Sequence, residues 1–361
     1  MALIQYLLSS CYVAIFVVGL FGNGWMLCSV VSVLTKHWVW KRSHAVPEHL
    51  YLYIGALAVQ GLLVVSLIPL VVAEQHQHQW LFGQLLCKYA WSMETTSKLF
   101  TVAILTALSV DRYTYLCQLN RWHLLKQKRT VALILGMCLF CVVVLLVPLF
   151  LYVEVQPVTF LEQERNVTLN KCGLNHLQIP ERFFTLYVVY LFAFGYCLPA
   201  AVTALCYWRI ALFVQRRSRL RANNYHSLSL KRRSAAEHMI YQPTNYNRKR
   251  RYRDKTVLQS IYKTVCFYFV CWTPYWIVQL LPLFVSLRYP KAVVAALMFI
   301  HTLPYVNCAG NWVFYAFLNR QLRQLSRAAR CAQRMTTKAS LESSVEARVH
   351  MPSCVSERAA V

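Results

Sequence analysis

Long apolar runs alternate with shorter polar segments along the whole chain. A run of about 20 apolar residues, at a rise of about 1.5 Å per residue, is long enough to cross a bilayer as a helix. The pattern therefore predicts an all-α integral membrane protein, built as a seven-transmembrane helix bundle. We place the spans at residues 4–34, 50–72, 87–117, 130–153, 183–214, 256–284 and 292–318.

The first apolar run could be confused with a signal peptide. It lacks the basic start of such a peptide and is longer than the usual apolar core, so we interpret it as a membrane span. It leaves almost no segment before it, which is consistent with an incomplete gene model at this end.

The segment after the last span has a different pattern. Residues 319–331 place Leu322 and Leu325 at helical spacing, with arginines between and after them. This predicts a short amphipathic helix lying on the membrane surface, with Cys331 as a candidate palmitoylation site. Residues 332–361 are predicted to be a disordered tail.

The composition supports a membrane protein. Hydrophobic residues make up 58% of the chain and charged residues only 14%, with a net charge of +25. A soluble domain carries about a quarter charged residues. Nucleic-acid binding would need the basic residues on a soluble domain, but here they lie between apolar runs.

Lysines and arginines are concentrated after spans one, three, five and seven. Positive residues mark the cytoplasmic side, so we predict the amino terminus outside and the carboxyl terminus inside. The largest cluster has thirteen basic residues in the segment 215–255, which we interpret as a flexible third inner loop. This loop either adheres to anionic lipid or docks a cytoplasmic partner and is phosphorylated near Ser234.

The predicted outer loops contain two kinds of covalent site. Of fourteen cysteines, only Cys87 and Cys172 lie plainly in segments predicted to face outside, so one disulfide between them is the economical interpretation. Asn166 begins an Asn-Val-Thr sequon in the same predicted outer loop, which indicates glycosylation. The sequence has no metal-ligand spacing, phosphate-binding loop or nucleophile elbow, so an enzyme is not indicated.

Short motifs lie at the ends and bends of the spans. Asp111-Arg112-Tyr113 closes the apolar part of span three, and Trp272 precedes Pro274 in span six. With these motifs in order, the chain resembles the rhodopsin-like (class A) G-protein-coupled receptors over nearly its whole length. Further matching residues are Gly22, Asn23, Trp80, Phe82, Gly83, Pro199, Tyr207, Cys271, Tyr275, Asn311 and Tyr315.

Within that family, the stretches WLFGQLLCK and CWTPYWIVQL are similar to the somatostatin, opioid and allatostatin-C group of peptide receptors. The resemblance implies a plasma-membrane receptor that binds an extracellular peptide and activates a heterotrimeric G protein, with arrestin and a receptor kinase as further partners. It implies no cofactor, and span seven has no lysine to attach retinal. A transporter or channel is a remote alternative. Such a protein would need inverted repeats and helices broken at mid-membrane, which seven unequal spans do not offer.

A charged residue inside span three is the candidate ligand contact. Glu94 lies about 10 Å along the helix from Cys87, and a charge inside the membrane indicates a functional site. The resemblance implies that Glu94 pairs with a positive group of the ligand, whereas Lys98, at i+4, could neutralise it instead. Tyr275, Trp276, Gln279 and Tyr305 either line the same cavity or serve as packing.

A second group of candidate residues, in the spans and at their predicted inner ends, is assigned to activation. Pro274 offers a hinge below which span six swings outward, because proline has no N–H to close the helix hydrogen bond. Arg112 is predicted to pair with Asp111 and to form a lock with Asp254, unless Asp254 only moderates a basic run. The full set is Asp111, Arg112, Tyr113, Tyr207, Asp254, Trp272, Pro274, Asn311 and Tyr315.

Several positions depart from the family's pattern, and two of them lie in spans two and seven. Gly61 stands where the family has an acid in span two, which is expected to remove its sodium site. Trp312 stands where the family has proline, which changes the bend of span seven. The alternative to a signalling receptor is therefore an atypical or degenerate receptor with altered or lost coupling.

Overall fold

The structure is a computed structural model. It describes residues 2–35, 49–117, 127–162, 165–175, 180–232, 245–284, 293, 295–313 and 315–316. The predicted amphipathic helix at 319–331, Cys331 and the tail at 332–361 lie outside these residues.

Nearly all described residues are helical. The helices follow one another as seven rods, because α2 and α3 form one span and α6 and α7 form another through the π-helical turn Ala193–Cys197. The bounds are α1 Ala2–Leu34, α2 Leu50–Val65, α3 Ile68–Gln77, α4 Gly83–Cys117, α5 Lys128–Tyr152, α6 Glu181–Phe192, α7 Leu198–Arg232, α8 Asn245–Phe284 and α9 295–313.

Two strands correct the all-α prediction. Strand β1, Val153–Glu162, pairs antiparallel with β2, Arg165–Leu174. Val153 and Val155 alternate with polar residues at the start of β1, which is the two-residue period of a strand. This short pattern was missed beside the long apolar runs. The hairpin begins directly after Tyr152, so the fourth span ends one residue earlier than predicted.

The disulfide between Cys87 and Cys172 fastens this hairpin to α4, with Cα atoms 5.6 Å apart. Gln84 adds two hydrogen bonds: its Oε1 accepts from the Val155 N–H at 2.7 Å and its Nε2 donates to the Val153 oxygen at 3.1 Å. We call this part of the bundle the hairpin end. The opposite part is called the Arg112 end.

Several boundaries differ from the prediction. Helix α4 begins at Gly83, and α7 and α8 extend to Arg232 and from Asn245, so much of the predicted flexible loop at 215–255 is helical. The π-helical turn lies directly before Pro199. Since a proline cannot donate to the carbonyl four residues earlier, the helix changes its hydrogen-bond register there.

Five stretches of the described residues are long and apolar enough to cross a membrane: Leu3–Ser32, Leu50–Gln77, Lys128–Val147, Arg182–Arg217 and Leu258–Leu283. Helix α4 is more polar, because it carries Glu94, Lys98, Asp111 and Arg112. It lies centrally, in contact with α2, α5, α7, α8 and both strands. Three of these charges, Lys98, Asp111 and Arg112, are thus largely enclosed by other helices, away from the bilayer lipid that would disfavour them.

Candidate functional site

Two charged side chains of α4 form an ion pair in the half of the bundle nearer the hairpin. Lys98 Nζ lies 2.9 Å from Glu94 Oε1 and donates a hydrogen bond to the Tyr275 hydroxyl at 2.8 Å. The same ammonium group lies 4.4 Å from the centre of the Tyr275 ring, a cation–π contact. Lys98 therefore connects α4 to α8 at this depth.

The two charges differ in accessibility. The Lys98 side chain is only 12% exposed, whereas that of Glu94 is 33% exposed. The i,i+4 pairing weighed from sequence is present in the structure, yet a carboxylate has more lone pairs than one ammonium group uses. The Tyr305 hydroxyl also faces this carboxylate. Glu94 thus has a partner and still presents an accessible face.

The aromatic candidates are mostly packed. Trp276 is buried against Phe192 and Tyr196, with ring centres 5.6 and 6.0 Å apart. Tyr305 is buried edge-on against Tyr12, at 5.6 Å. Gln279 is half-buried, one turn beyond Tyr275 toward the hairpin end. Their contacts form a wall beside the charge pair.

Sequence reasoning missed His301 of α9. Its ring stands edge-on to Tyr275 at 5.5 Å, it interacts electrostatically with Glu94 and Lys98, and it is exposed. A histidine in an apolar span, four residues before Tyr305, was the available signal. His301 thus adds a third polar side chain beside Glu94 and Lys98 at this end of the bundle.

Trp272 lies in the centre of the bundle, one turn from Tyr275. It is buried, stacks on Tyr268 at 5.6 Å, and its Nε1 lies 3.4 Å from Oδ1 of Asn307 in α9. Pro274 lies within α8, so the helix lacks one backbone hydrogen bond here. The structure places the predicted hinge directly beside the charge-pair contact.

At the Arg112 end, Asp111 and Arg112 are both buried and joined as predicted. Arg112 Nε donates to Asp111 Oδ2 at 2.9 Å, and a second guanidinium nitrogen also contacts that oxygen. His49, which sequence reasoning did not include, contacts both side chains. Tyr113 is half-buried, and Tyr207 packs its ring on Tyr262 at 5.4 Å.

Two predicted sites are only partly described. The backbone of Asp254 lies in α8 and that of Asn166 in β2, but their side chains are outside the described part of the structure. The lock between Arg112 and Asp254, and glycosylation of Asn166, both remain predictions.

Gly61 lies against Asn23 of α1. A Cβ atom built at position 61 would lie 2.7 Å from the Asn23 side-chain amide, so the asparagine fills the space that a larger residue would need. Asn23 donates to the backbone oxygens of Gly19 and Cys308, at 2.9 and 3.1 Å. With no carboxylate at position 61 and that space filled, these residues do not fit the family's sodium site.

Trp312 is accommodated by a glycine. A Cβ at Gly22 would collide with the Trp312 indole, whose other side faces Trp25 at 6.4 Å. Tyr315 is buried between Trp25 and Tyr51, at 6.1 and 6.4 Å. The buried Asn311, by contrast, has no hydrogen-bond partner for its Oδ1 among the described residues. Spans one and seven are therefore closely packed where the family pattern is altered.

Comparisons with known proteins agree with this architecture. The family model of the 7 transmembrane receptor (rhodopsin family) matches residues 28–315. A probable G-protein coupled receptor of Caenorhabditis elegans is 26% identical over 331 residues, covering 88% of this chain and 67% of the relative. Neuropeptide receptor 18 of the same organism is 29% identical, covering 75% and 56%.

Somatostatin receptor type 3 of Mus musculus is 25% identical over 324 residues, covering 88% of this chain and 67% of the relative. The chain thus spans between about half and two thirds of the length of these relatives. The family consists of receptors rather than enzymes and of multi-pass membrane proteins, as predicted. Because the family match covers well over half of the chain and includes its charged and aromatic motifs, the chain belongs to the rhodopsin family of seven-transmembrane receptors.

Proposed function

We propose that the chain is a plasma-membrane receptor for an extracellular peptide, and that it activates a heterotrimeric G protein by outward movement of span six. The observation that carries the proposal is the contact chain from Glu94 through Lys98 to Tyr275. It joins a carboxylate that a ligand can reach to the helix that contains Pro274. The relatives named as neuropeptide and somatostatin receptors support a peptide as the ligand class.

A positive group of the peptide pairs with the accessible face of Glu94. It competes with Lys98 for the carboxylate and so alters the hold of Lys98 on Tyr275. A ligand shifts a two-state equilibrium only through a difference in affinity between the states. Here the difference arises because Tyr275 lies next to the Pro274 hinge of span six while Glu94 and Lys98 belong to span three. Tyr305, Trp276 and Gln279 line the approach.

The Arg112 end transmits the change. In the closed state Arg112 is held by Asp111 and by the predicted lock with Asp254, and opening frees it for the G protein. The further groups assigned to this step are Tyr113, Tyr207, Trp272, Asn311 and Tyr315. The hairpin end then lies outside the cell, with glycosylated Asn166. Inside the cell lie the basic ends of α7 and α8 within residues 215–255, and Cys331, which carries a palmitoyl group. Arrestin and a receptor kinase dock on this side.

A second candidate is a receptor that binds its ligand but does not couple. It is favoured by the packing of Trp312 on Gly22, which restrains span seven where the family has a proline. Both candidates share the ligand site. They differ only in the response at the Arg112 end.

A peptide-library screen with G-protein dissociation as readout tests the proposal. The chain is expressed in cells beside an Arg112→Ala variant, and surface expression of both is matched. Peptides with a lysine or arginine are expected to cause dissociation through the parent chain and not through the variant. Binding of labelled peptides without dissociation of the G protein would favour the non-coupling receptor. If no peptide binds and no G protein dissociates, despite good surface expression, a peptide ligand is contradicted.

A further inference from the structure

His49 contacts both charges of the Asp111–Arg112 pair through a single ring nitrogen. It directly precedes α2, and the residue is 6% exposed. Its Nε2 lies 3.1 Å from an Nη2 nitrogen of Arg112 and 3.4 Å from Oδ1 of Asp111. The histidine thus joins span two to the charge pair of span three.

The two contacts need opposite protonation states of the same atom. An arginine N–H only donates, so Nε2 accepts from Arg112 only when it carries a lone pair. A carboxylate only accepts, so Nε2 donates to Asp111 only when it carries a proton. Because one nitrogen cannot do both, the position of the ring proton selects the partner: neutral His49 with its proton on Nδ1 accepts from Arg112, and the doubly protonated ring donates to Asp111.

This choice changes how firmly Arg112 is held. Neutral His49 with its proton on Nδ1 gives the guanidinium a second acceptor beside Asp111. Protonated His49 instead brings a second cation to within 3.1 Å of it, and like charges repel strongly where little water screens them. The protonated ring also competes for the Asp111 carboxylate. Arg112 then loses one acceptor and shares the other.

The other titratable groups facing this cluster do not carry charge at neutral pH in their ordinary state. In the described part of the chain they include Tyr53 of α2, which interacts with both charges, Cys138 of α5, which interacts with Tyr53, and Tyr207 of α7, which interacts with Arg112. The Tyr115 ring lies 5.0 Å from the Arg112 guanidinium carbon. Among these described neighbours of the Asp111–Arg112 pair, His49 is therefore the one that gains a charge as the pH falls below neutral.

We propose that His49 is a positioning residue for activation. Its neutral ring holds Arg112 in the closed arrangement, and its protonation releases Arg112. The signalling consequence, a higher basal activity when the inner side is acidic, rests on the proposed coupling to a G protein. The release of Arg112 itself does not depend on coupling to a G protein.

The test follows Arg112 and His49 directly in the purified chain, held in lipid nanodiscs and labelled with ¹⁵N in arginine and histidine. Signals are assigned with Arg112→Lys and His49→Gln variants and recorded from about pH 8 to about pH 5.5, where histidines ordinarily change charge. His49→Gln keeps a neutral acceptor at every pH. The matched control is His78→Gln, at an exposed histidine of the hairpin end.

The Arg112 signal is expected to shift in step with the His49 titration in the parent and in His78→Gln, and to stay constant in His49→Gln. With G protein added, basal nucleotide exchange on the G protein is expected to rise roughly threefold as the pH falls from about 8 to about 5.5. In His49→Gln this rise is expected to be absent. An Arg112 signal that stays constant while His49 titrates overturns the inference. A shifting Arg112 signal without exchange at any pH supports the positioning role and counts against G-protein coupling.

Discussion

At the scale of residues, the charges inside the bundle differ in how fully their partners satisfy them. Lys98 is held by a carboxylate, a hydroxyl and an aromatic ring, and little of it is exposed. Glu94 also has partners, Lys98, Tyr305 and His301, but its side chain is more exposed than that of Lys98. A charge inside a membrane protein is costly unless a partner or water solvates it. Of this charge pair, Glu94 is therefore the member with the more accessible side chain.

Replacing Glu94 by glutamine is expected to weaken agonist potency by roughly tenfold or more, the scale of one lost charged hydrogen bond. The measurement is a concentration–response curve for a peptide from the screen, in cells with matched surface expression. Glu74→Gln is the control, because Glu74 is a half-buried acid of α3 at the same end. Unchanged potency for Glu94→Gln, or an equal loss for the control, would show that Glu94 does not contact the ligand.

At the scale of elements, a few glycines determine how closely the helices approach. Gly22 receives the Trp312 indole, and Gly61 receives the side chain of Asn23. In each case the larger group comes from another helix, and any side chain on the glycine would occupy the same space. The departures at Gly61 and Trp312 are thus each matched by a neighbour that fits them. Packing of this kind tolerates little added volume.

Gly22→Ala is expected to lower the free energy of unfolding by roughly 1–3 kcal/mol, since its Cβ overpacks the contact with Trp312. Thermal unfolding of the purified chain in detergent micelles measures this. Gly136→Ala in α5 is the control, because nothing lies within 4 Å of a Cβ there. Adding Trp312→Phe should recover part of the loss in Gly22→Ala. A Gly22→Ala chain as stable as the control would refute the close packing.

At the scale of the whole molecule, α8 is tied to its neighbours on either side of Pro274. Tyr275 is bonded to Lys98 of α4, and Trp272 lies against Asn307 of α9. Thr273 also shares a hydrogen bond with Tyr196 of the π-helical turn. The part of α8 before these contacts is long, beginning at Asn245. A small rotation at the proline therefore produces a large displacement at the Arg112 end.

Asp254→Ala is expected to raise basal G-protein signalling several-fold, because it removes the predicted lock on Arg112 and biases the two-state equilibrium toward the open form. Basal nucleotide exchange without ligand is the measurement. Glu237→Ala, which removes another acid of the 215–255 segment, serves as the control. If the two variants match the parent in basal exchange, Asp254 only moderates the basic run.

Much of the bundle and part of the site followed from sequence. Apolar runs long enough to cross a bilayer predict spans because burying apolar surface is a local property of each run. The i,i+4 spacing likewise placed Lys98 within reach of Glu94, and the adjacent Asp111 and Arg112 were expected to pair. The alternation that forms β1 was also local, but it was too short to stand out beside the runs.

The contacts that give these residues their roles were decided by the tertiary structure. His49 lies 63 residues before Arg112, and Lys98 lies 177 residues before Tyr275. Which side chains meet across such separations depends on the rotation and register of packed helices, and no local pattern specifies these. Apolar runs predicted a seven-span membrane protein with charges in span three, and the resemblance of its motifs predicted a receptor. Only helix packing decided that Lys98 joins span six and that His49 faces both Asp111 and Arg112.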